Sequence, residues 1–225
     1  MNELVSVVIG ALPAMLLGVR FTVLFTVGAL FFGFLLALIL AALRLTRSRV
    51  VSALVRGYVS AIRGTPLLVQ IYLIYYGLPN VGITLEPVPA GILALSLNVG
   101  AYLSESLRGA LEGVERGQWD AARSLGMSWG QTLRFIVLPQ AFRVALPSIG
   151  NSAIGLVKDT SLVSVITVTE LLRATQEAIA ESFQPLPLYI AAAVIYWVLS
   201  SVLGLLQGRL ERRFNRSRAE EEGSS

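Results

Sequence analysis

The sequence contains no cysteine and no histidine among its 225 residues. Their absence excludes disulfide bonds, thiol catalysis, histidine-ligated metals and histidine acid–base chemistry, and it leaves the redox compartment undetermined. Charged residues are also scarce, at 14% against about 25% in a soluble globular domain. With 55% hydrophobic residues and a mean hydropathy of +0.70, the chain is expected to be an integral membrane protein without a metal site.

Long apolar segments predict an all-α fold with five transmembrane helices, at about residues 21–43, 50–78, 88–107, 146–168 and 188–206. The second segment exceeds the ~20 residues that a bilayer needs. Its first part, up to Ile62, is therefore expected to lie along the cytoplasmic boundary, before RGTP at 63–66 breaks the helix. Residues 171–187 are expected to form an external amphipathic loop.

Basic residues indicate the orientation of these helices. Fourteen of the 18 lysines and arginines fall in three polar segments, 44–56, 108–143 and 209–218. The positive-inside rule places these segments in the cytoplasm, with the N-terminus outside and the C-terminus inside. Topology therefore explains the net charge of +4 better than nucleic-acid binding does. The predicted organisation is an extracytoplasmic or interfacial segment 1–20, a transmembrane domain 21–207 and a cytoplasmic tail 208–225, whose short acidic end is expected to be disordered.

The N-terminal segment leaves one alternative open. Residues 4–18 are apolar but short for a crossing and contain Pro13, and they lack the basic start of a signal peptide. We interpret them as an interfacial segment outside the membrane. A sixth crossing there would invert the N-terminus.

The cytoplasmic loop at about 108–143 is predicted to contain a short helix with one apolar face. An apolar face on a short helix is predicted by four residues at helical spacing, Ala121, Ala122, Leu125 and Trp129. Gly126 is expected on the same helix, where it would remove a side chain so that another backbone can approach closely. Asp120 supplies negative charge at the helix start, which the helix dipole favours. Such a loop suits docking of a soluble partner.

The loop also resembles the EAA signature of the membrane subunits of ATP-binding-cassette (ABC) importers. The match consists, with the family's spacing, of Asp120, Ala121, Ala122, Gly126, Ile136, Leu138 and Pro139. It departs at Asp120, where the family usually has glutamate, and this keeps the charge on a shorter stem. The resemblance implies that these residues couple the chain to a cytoplasmic ATPase.

Polar residues within the apolar segments are candidates for a substrate pathway, because charge inside a bilayer is costly. Asn98, Tyr102 and Glu105 share one stripe of the third span, which suits the ammonium of a zwitterionic solute. The alternative is that Glu105 merely pairs with Arg108. Gln70, four residues after Pro66, would place an amide in the membrane, although proline alone explains the kink.

The fourth span carries the other candidates, Lys158, Asp159, Thr160 and Ser161. Interrupted spans expose helix ends, whose backbone groups and dipoles bind ions or solutes within the membrane. The alternative is a Lys158–Asp159 pair with a hydroxyl helix cap. An intramembrane enzyme would need Lys158 with Ser161 or Ser164, and nothing in the sequence supplies its oxyanion site.

Three stretches extend the resemblance to the polar amino acid branch of ABC importer permeases over roughly 18–207. They are RGTPLLVQ, NVGAYLSESLRGALEGVERGQWDAARSLG and LPQAFRVALPSIGNSAIGLVKDTSLVSVITVTEL. The resemblance implies the type I ABC importer permease fold in a bacterial cytoplasmic membrane. It also implies substrate contacts near Asn98, Glu105 and 158–161. Its implied partners are two ATPases that receive the helix around 120–130, a solute-binding protein and a second permease subunit.

The chain has no Gly-x-x-x-x-Gly-Lys loop that would cradle phosphates. ATP and magnesium are therefore expected on the partner ATPase, and this chain is expected to bind no cofactor and to be no enzyme itself. The rival interpretation is a secondary transporter or channel driven by an ion or proton gradient. The amino acid carried, and the choice between a homodimer and a heterodimer, stay open.

Overall fold

The computed structural model describes residues 2–46 and 48–222, with side chains for 4–46 and 48–213. This part of the chain is helical, and its α-helices are α1 Asn2–Arg44, α2 Arg49–Gly64, α3 Leu67–Tyr72, α4 Pro87–Glu112, α5 Arg116–Ser124, α6 Trp129–Thr132, α7 Leu138–Asp159, α8 Leu171–Ser182 and α9 Pro185–Glu222. Tighter or wider helical turns extend α3 and flank α7: π turns Leu73–Gly77 and Leu133–Val137, and 3-10 turns Leu78–Val81 and Thr160–Ile166.

Within the described ranges, three helices are long and apolar enough to cross a membrane, Leu4–Arg44, Pro87–Glu112 and Pro185–Arg213. A fourth unit is the pair Trp129–Ile166 and Leu171–Ser182, which bends by 53°. Leu67–Val81 is a shorter apolar helix at the predicted second span, and it begins directly after the predicted RGTP break. These five units follow one another in the order of the five predicted spans.

The structure corrects three predicted boundaries. Residues 4–18 are not a separate segment, because α1 is one helix of 43 residues with Pro13 inside it. Met15 on this part of α1 is fully buried in a cluster with Leu171 and Leu188, so packing outweighs the single backbone hydrogen bond that proline removes. The predicted external loop at 171–187 contains α8. The acidic end of the tail, predicted to be disordered, is helical as far as Glu222, and 223–225 lie outside the described residues.

The central packing contact is the crossing of α1 and α4. A Cβ atom added at Gly33 would lie 3.0 Å from the Ser96 carbonyl oxygen and 3.2 Å from the Gly100 nitrogen. A Cβ atom added at Gly100 would in turn lie 3.0 Å from the Gly33 carbonyl oxygen. Small residues let membrane helices approach closely and gain van der Waals contact. The two glycines therefore set the distance between the helices that form most of the core.

A buried carboxylate joins α1, α8 and α9. Glu170 is fully buried at the start of α8. Its carboxylate accepts hydrogen bonds from the backbone N–H groups of Leu172 and Arg173 at 2.9 and 2.8 Å, and from the Tyr196 hydroxyl at 2.7 Å. Gly18 of α1 makes room for this turn, because a Cβ atom there would lie 2.9 Å from the Glu170 carbonyl carbon. Glu170 is thus a buried N-cap of α8.

Replacing Glu170 with alanine is expected to destabilise the protein by about 2–4 kcal/mol, because the Tyr196 hydroxyl and two helix-terminal N–H groups would stay buried without an acceptor. Thermal unfolding of the purified chain in detergent measures the change. Glu177→Ala is the matched control, since it removes a carboxylate from an exposed α8 pair with Arg173 that is worth at most about 1 kcal/mol. Equal losses in the two variants would contradict this role of Glu170.

Candidate functional site

A cavity of about 410 Å³ lies between the break that separates α2 from α3, the middle of α4 and the end of α7. Three of the predicted pathway residues line it, Asn98, Tyr102 and Asp159. Its polar wall also includes Thr65 and Ser152. The structure therefore brings an amide, a phenol and a carboxylate from two different helices to one cavity.

Gln70 lies behind this cavity and not on its wall. Its side chain is buried, and its Nε2 donates to the carbonyl oxygens of Ile62 and Thr65 at 2.8 and 3.1 Å and to the Thr65 hydroxyl at 3.0 Å. Its Oε1 accepts a hydrogen bond of 3.0 Å from the Asn98 amide. A helix break leaves backbone carbonyl groups without their intrahelical donors. Gln70 supplies them and at the same time orients Asn98.

Glu105 does not share this cavity but lies on the wall of another, of about 470 Å³. One of its oxygens lies 2.5 Å from Arg44 Nη1, and the other accepts hydrogen bonds of 3.1 and 3.0 Å from Arg108. The Arg63 guanidinium lies 4.0 Å from the same carboxylate and 5.2 Å from the centroid of the Tyr102 ring. The geometry favours the pairing alternative, and it adds the Arg44 partner that the sequence did not indicate.

The predicted interruption at 158–161 is a change in helix type. Thr160 is fully buried, and its hydroxyl donates to the Val157 carbonyl oxygen at 2.7 Å. The Ser161 hydroxyl donates to the Lys158 carbonyl oxygen at the same distance. Both hydroxyls therefore satisfy carbonyls at the end of α7, and of the four candidates only Asp159 lines the cavity. The 3-10 turn that follows α7 ends at Ile166, and Thr167 caps it with a φ of 67°.

The expected apolar face in the cytoplasmic loop is divided between two helices. α5 ends at Ser124, and α6 begins at Trp129 after a capping box in which Ser128 and Gln131 bond each other's backbone N–H groups. The prediction of a single helix through 121–129 was therefore wrong. A helical spacing of four also fits residues on either side of a tight turn, so spacing alone does not detect the break.

Gly126 ends α5 and does not lie on it. Its φ is +76°, and a Cβ atom there would meet nothing within 4 Å in this chain. The N–H of Gly126 donates to the Arg123 carbonyl at 2.9 Å, and the N–H of Met127 donates to the Ala122 carbonyl at 3.1 Å. This is a Schellman motif, which needs a left-handed residue after the helix. The glycine is required by backbone conformation, which corrects the predicted reason for it.

The turn presents apolar side chains to solvent. Leu125 is 82% exposed, Trp129 55% and Phe135 61%, while Ala121 and Asp120 are also exposed. Ala122 and Val137 are buried beneath them, whereas Ile136 is half-buried and Leu138 and Pro139 are exposed. Large apolar side chains exposed on one folded hairpin are typical of a protein interaction site. We call the patch formed by Leu125, Trp129 and Phe135 the hairpin patch.

The family comparison fits these elements. The model of the family described as "Binding-protein-dependent transport system inner membrane component" matches residues 29–216. The chain belongs to this family. It is therefore an inner-membrane permease subunit of an ABC importer that works with a binding protein, as the EAA-like spacing indicated.

Individual relatives extend over nearly the whole chain. The L-cystine transport system permease protein TcyB of Bacillus subtilis (strain 168) is 46% identical over 88% of this chain and 86% of its own length. The glutamine transport system permease protein GlnP of Escherichia coli (strain K12) is 36% identical over 90% and 94%. The crystal structure of an amino acid ABC transporter with histidines gives a TM-score of 0.87 at 34% identity, covering 91% and 96%.

A more distant structure shares the fold. An inward-facing form of the MetNI methionine ABC transporter gives a TM-score of 0.73 at 19% identity, covering 90% of this chain and 97% of that chain. The all-helical architecture predicted from the apolar segments is thus the type I ABC importer permease fold.

Proposed function

We propose that this chain is the membrane-spanning subunit of an ATP-driven importer that carries a polar amino acid across a bacterial cytoplasmic membrane. The observation that carries the proposal is the hairpin patch, which the Gly126 turn holds outside the helical core. A permease without a phosphate-binding loop needs a partner to hydrolyse ATP. The hairpin patch is the surface on which such an ATPase docks, and the partner binds the ATP and magnesium.

Some coupling residues are exposed and can contact the ATPase, whereas others are buried and hold the hairpin on the helices beneath it. Ala121 presents exposed apolar surface one helical turn before Leu125, and Asp120 adds an exposed carboxylate. Leu138 is exposed on the wall of an apolar cavity that α1 and α4 also line. Ala122 and Val137 pack inward, so a push on the hairpin is transmitted to the helices beneath it. α5 and α6 are therefore the mechanical link through which closure of the ATPase on ATP changes the access of the cavity.

The cavity at Asn98, Tyr102 and Asp159 is the amino acid pathway in this proposal. Asp159 provides an acceptor for the α-ammonium group that all amino acids share, and the amide and phenol provide neutral hydrogen-bonding groups. Relatives named for cystine and glutamine transport support a polar amino acid as the cargo. The two cargoes differ, so the names leave the side chain unassigned.

The five helical units support five crossings, with the N-terminus outside and the C-terminus in the cytoplasm. This orientation follows the arginine distribution and places the hairpin patch beside cytoplasmic ATP. The remaining partners are an extracytoplasmic solute-binding protein that delivers the amino acid and a second permease subunit, either a copy of this chain or a relative. The chain itself binds no cofactor.

Asp159→Asn is expected to raise the apparent KM for amino acid uptake about tenfold or more, because a hydrogen bond to a charged group contributes about 1.5–3 kcal/mol. Labelled uptake in proteoliposomes measures the change. Glu177→Gln is the control, since it removes a carboxylate from an exposed pair on α8 that does not line the cavity, and it is expected to change KM less than about threefold. A KM in Asp159→Asn that stays within the range of the control would overturn the assignment of Asp159 to the pathway.

The proposal as a whole is tested on tagged protein isolated from native membranes with the subunits that accompany it. The sample is reconstituted in liposomes with the binding protein, and ATP hydrolysis is measured against a panel of amino acids. Stimulation by one or a few of them is the expected result and would identify the substrate. An accompanying ATPase indifferent to the whole panel would remove the amino acid assignment, and absence of any ATPase would remove the importer assignment.

A further inference from the structure

Two cavities adjoin each other where the ends of α1 and α4 meet α2 and the segment that follows α6. The first, of about 470 Å³, has a polar wall that contains Arg44, Arg56, Arg108, Glu105 and Glu112. The second, of about 370 Å³, is lined by apolar residues, among them Leu38, Ala42, Leu133, Leu138 and Phe142. Ala41, Leu45 and Leu111 line both cavities, so a polar chamber and an apolar chamber share one wall.

The polar cavity has an excess of positive charge. Its three arginines face two carboxylates, which leaves a net charge of about +1. Arg108 contacts both Glu105 and Glu112, and Arg44 contacts Glu105. The third arginine, Arg56, donates a hydrogen bond of 2.7 Å to the neutral hydroxyl of Ser52. A monoanion with several acceptor oxygens, such as a phosphodiester, complements this arrangement.

We propose that the two cavities together bind one anionic phospholipid. The phosphodiester lies beside Arg56 in the polar cavity, and an acyl chain continues across Ala41 and Leu111 into the apolar cavity. Basic pockets between membrane helices on the cytoplasmic side are a recognised form of anionic lipid site. The cytoplasmic placement of the lipid rests on the orientation proposed above. The presence of two adjoining cavities does not depend on that orientation.

The helix that carries Arg56 is suited to the membrane surface. α2 is strongly amphipathic: Val55 and Val59 are buried, while Val50 and Leu54 are each 70% exposed. A helix with basic residues and an outward apolar side lies in the interfacial plane of a bilayer. A lipid headgroup is therefore within reach of Arg56, whereas a free phosphate ion would leave the adjoining apolar cavity unfilled.

The lipid would also contact the coupling region. The apolar cavity takes Leu133 and Leu138 from the segment that leads from α6 into α7, and Leu38 and Ala42 from α1. An acyl chain between them would tie this segment to the core helix. The coupling region is thereby expected to be more rigid in a membrane rich in anionic lipid.

The test is a binding measurement on the chain with its co-purifying subunits, after removal of native lipid. Native mass spectrometry compares phosphatidylglycerol, phosphatidylcholine with the same acyl chains, and inorganic phosphate. Phosphatidylglycerol is expected to bind, and the other two to bind much more weakly. Arg56→Gln is expected to weaken phosphatidylglycerol binding about fivefold, the usual effect of one arginine near an anionic headgroup.

Two further variants separate the sources of binding. Arg49→Gln removes the same charge from α2 outside both cavities, and it is expected to change phosphatidylglycerol binding less than twofold. Ala42→Phe fills the apolar cavity from an exposed position, and it is expected to weaken binding of phosphatidylglycerol without affecting phosphate.

Three results would overturn the proposal. Equal effects of Arg49→Gln and Arg56→Gln would reduce the site to diffuse surface charge. Phosphate that binds as tightly as phosphatidylglycerol would make it a site for a free anion. Unchanged lipid binding in Ala42→Phe would place the acyl chain elsewhere. All three results come from binding measurements and none requires transport. They therefore test the lipid site even if the proposed amino acid cargo is wrong.

Discussion

Replacing Gly126 with valine is expected to reduce ATP-coupled uptake at least about tenfold while leaving membrane insertion intact. Gly126 has a φ of +76°, where an ordinary L-residue costs about 1–2 kcal/mol and a β-branched one more. Valine would therefore open the Schellman turn and displace Leu125 and Trp129, which the turn holds in the hairpin patch. The expected size is at least about a tenfold loss of ATPase capture and of uptake, measured by co-purification and by labelled uptake in proteoliposomes.

Gly126→Asn separates backbone conformation from partner contact. Asparagine adopts left-handed geometry far more readily than valine, and the space around Gly126 is open in this chain. It is therefore expected to retain most of the uptake. If Asn fails as completely as Val, the ATPase itself must approach Gly126 too closely for any side chain. Normal uptake by Gly126→Val would remove the hairpin from the coupling mechanism altogether.

Gly33→Val is expected to prevent folding of the membrane domain. The added Cβ would approach the Ser96 carbonyl oxygen and the Gly100 nitrogen, which are backbone atoms of α4 that cannot rotate away. Overpacking a core costs about 1–3 kcal/mol even where side chains can adjust, and here a whole helix must move. Loss of the monodisperse peak in size-exclusion chromatography and a collapse of the unfolding midpoint are the expected results.

Gly10→Val supplies the matched control for this substitution. It adds the same atoms to the same helix, but a Cβ atom at Gly10 meets nothing within 4 Å. This variant is expected to be produced and to unfold like the parent chain. If both variants failed to fold, the cause would be the added bulk or the altered helix propensity. The close crossing of α1 with α4 would then not be the reason.

Local sequence signals predicted the elements that depend on local physics. The structure confirmed the predicted break after α2. The sequence reveals such a break because Pro66 cannot donate the backbone hydrogen bond that a continuous helix needs. α4 covers the predicted third span for the same kind of reason, since a long apolar stretch forms a helix in a membrane. The spacing from Asp120 to Pro139 indicated the family before any tertiary contact was considered.

Features that depend on tertiary contacts were missed or misassigned. Glu170 lies between the predicted fourth span and the predicted external loop, and it packs against Gly18 of α1, which is distant in sequence. The ion pair of Arg44 with Glu105 likewise requires the packing of α1 on α4. Gly126 was assigned to a helix interior, because the same residue serves close packing and helix termination and only its φ distinguishes the two.

The central claim is that this chain moves an amino acid at the expense of ATP supplied through a docked partner. Its most direct test is labelled amino acid uptake by proteoliposomes that hold the chain, its co-purifying ATPase and the binding protein. Uptake that requires ATP on the ATPase side and is unaffected by collapsing the proton and sodium gradients is the predicted result. Uptake that persists without ATP and disappears with either gradient would contradict the account, and would make the chain a secondary transporter.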